Sequence, residues 1–136
     1  MQPEIRPVAP PGAAGEGAIL VVEDNAVNAL ILRSMLRKLG HEPLMASDGF
    51  EGIAVADRLR PRLVLMDLQM PGLDGLTAAY SIRALGVGEE TVLVAVTASA
   101  ALEVRNACEG AGFACVLAKP IVFDELRAIL RRYLAV

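Results

Sequence analysis

The chain contains no tryptophan, only two tyrosines and three phenylalanines, and aromatic residues make up 4% of it. A core built around stacked rings is therefore excluded. The 54% hydrophobic content must be packed from Leu, Val, Ile, Ala and Met. Cysteine is nearly as scarce. Cys108 and Cys115 have neither a CxxC spacing nor the framework of a small secreted scaffold, so free thiols in a reducing cytoplasm are expected. Lys and Arg form no continuous run and the net charge is −3. That disfavours a nucleic-acid surface. No apolar run reaches transmembrane length, and the N-terminus lacks a basic start followed by an apolar stretch. Neither a membrane span nor a signal peptide is expected.

At 136 residues the chain has room for one domain. Proline and glycine are concentrated at the start: Pro3, Pro7, Pro10, Pro11, Gly12, Gly15 and Gly17 lie among small residues without periodicity. Residues 1–17 thus read as a flexible tail or linker, and 18–136 as the folded unit.

From Ala18 onward, short aliphatic blocks alternate with helical spacing. Strands are expected at Ile19–Val22, Pro43–Ala46, Leu63–Met66, Thr91–Val96 and Ala114–Leu117. Val27, Leu30, Ile31, Met35 and Leu39 trace a helical face that stops at Gly40. A second helix with Phe50, Ile53, Ala54 and Asp57 follows a turn at Gly49. Leu76, Ala79, Tyr80 and Arg83 mark a third, capped by Asp74. Leu102–Glu109 makes a fourth, stopped by Gly110 and Gly112. Phe123, Leu126, Leu130, Tyr133 and Leu134 make the fifth. His41, just after Gly40, reads as loop surface.

Strand–helix alternation with near-continuous apolar strands implies an α/β fold, a doubly wound parallel sheet covered on both faces. Function in such sheets gathers at the carboxyl ends of the strands. The first aliphatic block runs directly into "EDN", placing Glu23 and Asp24 at one such end. The third runs into Asp67. With strand order 2-1-3-4-5 these ends are neighbours, and three carboxylates converge. Their repulsion calls for a hard divalent cation, and magnesium binds through carboxylates, phosphate oxygens and water. Thr97 ends the fourth strand, and Lys119 follows the fifth in "AKP". A carboxylate nucleophile, cation ligands, a hydroxyl and an ammonium suit transfer of a phosphoryl group onto an aspartate. Each residue alone has a plainer explanation. Asn25, Asp67 and Thr97 can cap turns or helices, and a lone carboxylate or lysine is usually solvated. The joint placement at four strand ends favours the site.

The motifs "ILVVEDN", "LVLMDLQMPGLDG", "AVTA" and "LAKPI", in that order, resemble the receiver domain of two-component response regulators. The resemblance implies a flavodoxin-like five-stranded fold with five helices. It implies that Asp67 accepts a phosphoryl group from a histidine kinase or a histidine phosphotransfer protein. It implies magnesium ligation by Asp24, Asp67 and the Gln69 carbonyl, with Glu23 acting through water, and phosphoryl binding by Thr97 and Lys119. A cis Lys119–Pro120 peptide is also implied. The chain itself would then be a phosphoacceptor rather than a kinase. "EDNAVN" looks like receivers fused to hybrid sensor kinases, so a fragment of such a kinase is the alternative. An aspartate-nucleophile phosphatase is a remote one, because Leu68 and Gln69 follow Asp67 where that family places a second acid. One departure stands out. Val116 occupies the position, three before the motif lysine, where receivers usually carry Tyr or Phe.

Overall fold

The computed structural model describes residues 18–86 and 90–134. The expected tail, 1–17, lies outside them. The described chain forms β1 (Ile19–Val22), α1 (Ala26–Lys38), β2 (Leu44–Ala46), α2 (Gly49–Leu59) and β3 (Leu63–Asp67). It continues through α3 (Gly75–Ala84), β4 (Val92–Thr97), α4 (Leu102–Ala111), β5 (Phe113–Ala118) and α5 (Phe123–Leu134). The five strands pair in parallel in the order β2-β1-β3-β4-β5. Among the described residues no helix is long and apolar enough to cross a membrane.

Strand residues alternate between two apolar layers. Leu20, Val22, Val64, Met66, Leu93 and Ala95 face Ala56 of α2, Ala78, Ala79 and Ile82 of α3, and Cys108 and Ala111 of α4. Ile19, Val21, Leu63, Leu65, Val94 and Val96 face Leu32 and Leu36 of α1 and Leu126, Leu130 and Leu134 of α5. Both faces are covered, so the central strands have no polar side, and this is why they read as unbroken aliphatic blocks. β5 keeps its register through one irregularity. Phe113 pairs with Leu93 and Cys115 with Val94, leaving Ala114 as an extra, exposed residue. This bulge puts Phe113 and Val116 on the same face although they are three apart.

The structure corrects four details. The buried face of α1 is Leu32 and Leu36, with the expected Met35 and Leu39 packed beside them, whereas Val27, Leu30 and Ile31 are exposed at 65%, 62% and 45%. The helix is apolar on more than one side, and periodicity alone cannot choose between the sides. Gly49 is the first residue of α2, not a turn before it. Asp48 is the N-cap, accepting from Glu51 N, and a Cβ at Gly49 would come within 2.7 Å of the Leu73 carbonyl oxygen. Gly110 lies inside α4, which ends at Gly112 with φ 96. His41 is buried, its backbone N–H donating to Leu36 O at 2.9 Å.

Candidate functional site

The site is assembled from backbone that continues to pair beyond the strands. Glu23 N donates to Ala46 O at 3.0 Å, Leu68 N to Val96 O at 3.1 Å, and Lys119 N to Thr97 O at 2.8 Å. These bonds carry the sheet geometry one residue further at the carboxyl edge. Glu23, Asp67, Thr97 and Lys119 are therefore held by the sheet rather than by free loops.

Glu23 and Asp67 are buried, each 3% exposed, while Asp24 is exposed. The three carboxylates offer ligand oxygens all within 4.8 Å of one another. Lys119 Nζ stands 3.4 Å from Glu23 Oε1 and 3.4 Å from Asp67 Oδ1. The Lys119–Pro120 peptide is cis, as the resemblance implies. Asp67 Oδ1 also accepts from Gln69 N at 3.1 Å. Glu23 Oε2 accepts from Asn25 N at 3.2 Å, whereas the lysine's approach to Oε1 is an ion pair without hydrogen-bond alignment, leaving Oε1 with no donor. Burial raises the Glu23 pKa and the nearby Asp67 carboxylate adds to the rise, while the Asn25 N–H and Lys119 oppose it. A single ammonium among three carboxylates leaves the cluster short of positive charge. An unpaired buried oxygen beside two further carboxylates is a donor set that fits a hard divalent cation.

Thr97 is the last residue of β4 and is buried; its Oγ1 accepts from Ser99 N at 3.1 Å. It does not cap α4, whose N-cap is Ala101 without a side-chain bond. Asn25 does cap α1, accepting from Asn28 N at 2.9 Å. Gln69 is exposed in the β3–α3 loop. Every residue expected at the site is thus at this one edge of the sheet. Gly75 also shapes the site, although its residue type alone does not announce it. A Cβ there would collide with the Asp67 carbonyl oxygen and stand 2.8 Å from Leu68 Cα. The "DG" in "MPGLDG" was its only signal, and that dipeptide reads as turn chemistry.

Comparison with known proteins decides the family. The profile of the response regulator receiver domain matches residues 19–131. The chain belongs to that family.

This receiver domain is 42% identical over 118 residues to hybrid signal transduction histidine kinase G of Dictyostelium discoideum, which covers 85% of the chain and 3% of that protein. It is 38% identical over 116 residues to transcription factor SKN7 of Saccharomyces cerevisiae, covering 85% of the chain and 18% of that protein. The chain therefore spans only a small part of these relatives. The receiver domain of a Pseudomonas aeruginosa sensor histidine kinase has a magnesium ion coordinated in its active-site cleft. It matches with TM-score 0.82 and 40% identity, over 91% of this chain and all of that one. The receiver domain of the yeast response regulator Ssk1, crystallised with the histidine phosphotransfer protein Ypd1, matches with TM-score 0.81 and 28% identity. That match covers 90% of this chain and 89% of the other. The receiver is a module of two-component phosphorelay signalling, and the phosphatase alternative finds no support.

Proposed function

We propose that this receiver accepts a phosphoryl group on Asp67 from a phosphohistidine, in a magnesium-dependent reaction. The observation that carries this reading is the Glu23–Asp24–Asp67 cluster with Lys119 Nζ 3.4 Å from Asp67 Oδ1. Asp67 is the nucleophile: one carboxylate oxygen attacks phosphorus as the phosphorus–nitrogen bond of the donor breaks. Asp24, Asp67 and the Gln69 carbonyl would hold magnesium, and Glu23 would act through water. A bound magnesium ion would supply the positive charge that offsets both the carboxylates and the incoming phosphoryl oxygens. Lys119 adds a compact ammonium, and the Thr97 hydroxyl turns from Ser99 N–H to donate to a phosphoryl oxygen. Gln69 N–H already holds Asp67 in place.

The donor is a histidine kinase or a histidine phosphotransfer domain. Beside the site, Val27, Leu30 and Ile31 expose an apolar strip on α1, and a small hollow is lined by Ile31, Leu32, Pro120 and Ile121 together with Glu23, Asn28 and Lys119. This surface suits the apolar face of a donor helix. Within this reading the chain is an acceptor rather than a kinase, 18–136 is the receiver unit, and the Pro- and Gly-rich 1–17 is a tail or linker. A hybrid histidine kinase and a sensor histidine kinase among the relatives favour a histidine kinase, the hybrid type included, as the parent protein. Free Cys108 and Cys115 suit a cytoplasmic setting.

Incubation with acetyl phosphate and magnesium, followed by intact-mass measurement, tests the proposal. One phosphoryl group should be gained with magnesium and none in EDTA or in Asp67→Asn. Equal modification in all three would reject it.

A further inference from the structure

Asp67 has different chemistry on its two sides. Toward α1 the surface is apolar. Toward α4 a cleft of ≈ 640 Å³ opens between the β3–α3 loop and α4, reaching from Gln69 and Thr97 outward. Its walls include Met70, Val104 and Ala107, and it carries two carboxylates, Asp74 and Glu103. None of its lining residues is Lys or Arg. The neighbouring Arg105 is not among them, and its Nε donates to Ala100 O at 2.9 Å. Asp74 Oδ1 caps α3 through Thr77 N at 2.8 Å, and Glu103 lies in the first turn of α4, where an acid is favoured by the helix dipole. Those roles explain why acids occur at these positions. They do not explain an apolar hollow with carboxylates on it and no cation, opening directly beside the phosphoacceptor.

We infer that this cleft receives one arginine side chain of the phosphohistidine-bearing partner, with the aliphatic stem on the apolar wall and the guanidinium on Glu103 and Asp74. The inference rests on the phosphoacceptor reading above. Complementarity of both charge and polarity selects the occupant: a long side chain can cover apolar surface with its stem while its planar head pairs with a carboxylate. A neutral apolar group would gain nothing from the two exposed carboxylates, and an anion would be repelled. A donor engaging apolar α1 on one side and this acidic cleft on the other can dock in one orientation only. The cleft is thus a specificity determinant separate from the phosphoryl chemistry.

The probe is n-butylguanidinium, compared with the neutral isostere n-butylurea, in NMR titrations of the full chain. Butylguanidinium should give saturable amide shifts confined to residues 68–76 and 97–107, with butylurea at least about tenfold weaker. Glu103→Gln should weaken the cation several-fold and leave butylurea unchanged. Equal binding of the two probes, no saturable shift in those segments, or an unaltered Glu103→Gln titration would overturn the inference. Acetyl phosphate labelling of the same two proteins is read separately. Normal labelling in both isolates a failure to the cleft, whereas loss in wild type rejects the phosphoacceptor reading itself.

Discussion

Gly75 and Asp67 meet backbone to backbone: Gly75 N donates to Leu68 O at 3.1 Å, and a Cβ at Gly75 would collide with the Asp67 carbonyl oxygen. The start of α3 is therefore seated directly under the nucleophile. Gly75→Ala must push the loop that follows β3. Overpacking of this kind costs about 1–3 kcal/mol. We expect a Tm lower by several degrees and acetyl phosphate labelling slowed about tenfold, with the fold retained by circular dichroism. Labelling at the wild-type rate would show that the contact does not position Asp67.

Asp24 is the exposed member of the acidic cluster, so its removal should touch metal binding and little else. In Asp24→Ala, magnesium affinity measured by NMR titration should fall at least about tenfold. Stability in EDTA should be unchanged or higher, because a like charge has been removed. Magnesium binding equal to wild type would displace Asp24 from the ligand set.

His41 provides a pH dependence unrelated to the site. It is buried, its Nδ1 has no partner, and burial lowers its pKa below the ordinary 6.5. The unfolded chain therefore takes up a proton that the folded chain refuses. Above pH 6.5 the imidazole is neutral in both states and adds no pH dependence. Stability falls as the pH drops below that value and levels off once the folded-state pKa is passed. The loss should therefore begin below pH 6.5, with stability flat above it. Denaturant melts should show this component in wild type and not in His41→Leu. An identical pH slope in both proteins would refute it.

Val116 concerns output. It is half-buried, paired with Ala95, and packs against the layer that contains α4. A β-branched side chain with one torsion has little difference in burial between rotamers with which to bias a switch. Amide shifts on adding beryllofluoride should centre on the loops around Asp67 and Thr97 and stay small over α4, β5 and α5. Val116→Tyr should enlarge the latter. Large wild-type shifts over those three elements, unchanged in the Tyr variant, would contradict the account.

The strands and the polar residues at their carboxyl ends were legible in the sequence because each depends on a local signal, whereas the strand order was implied only by the family resemblance. Each aliphatic block ends in a polar residue, and parallel strands put all such ends at one edge. What was not legible depended on docking. Val27, Leu30 and Ile31 share a helical face as good as that of Leu32 and Leu36, and only packing on the sheet buries the second set. The unequal burial of adjacent Glu23 and Asp24 arises from the sheet bond of Glu23 to Ala46, which periodicity does not encode. The bulge at Ala114 likewise sets which layer Val116 joins.

The most direct measurement identifies the acceptor atom by atom. After labelling with acetyl phosphate and magnesium, borohydride reduction converts an acyl phosphate on aspartate to homoserine, which peptide mass mapping locates. The account predicts homoserine at position 67 alone. Homoserine at Asp24 or Asp74, or no reducible acyl phosphate, would contradict it.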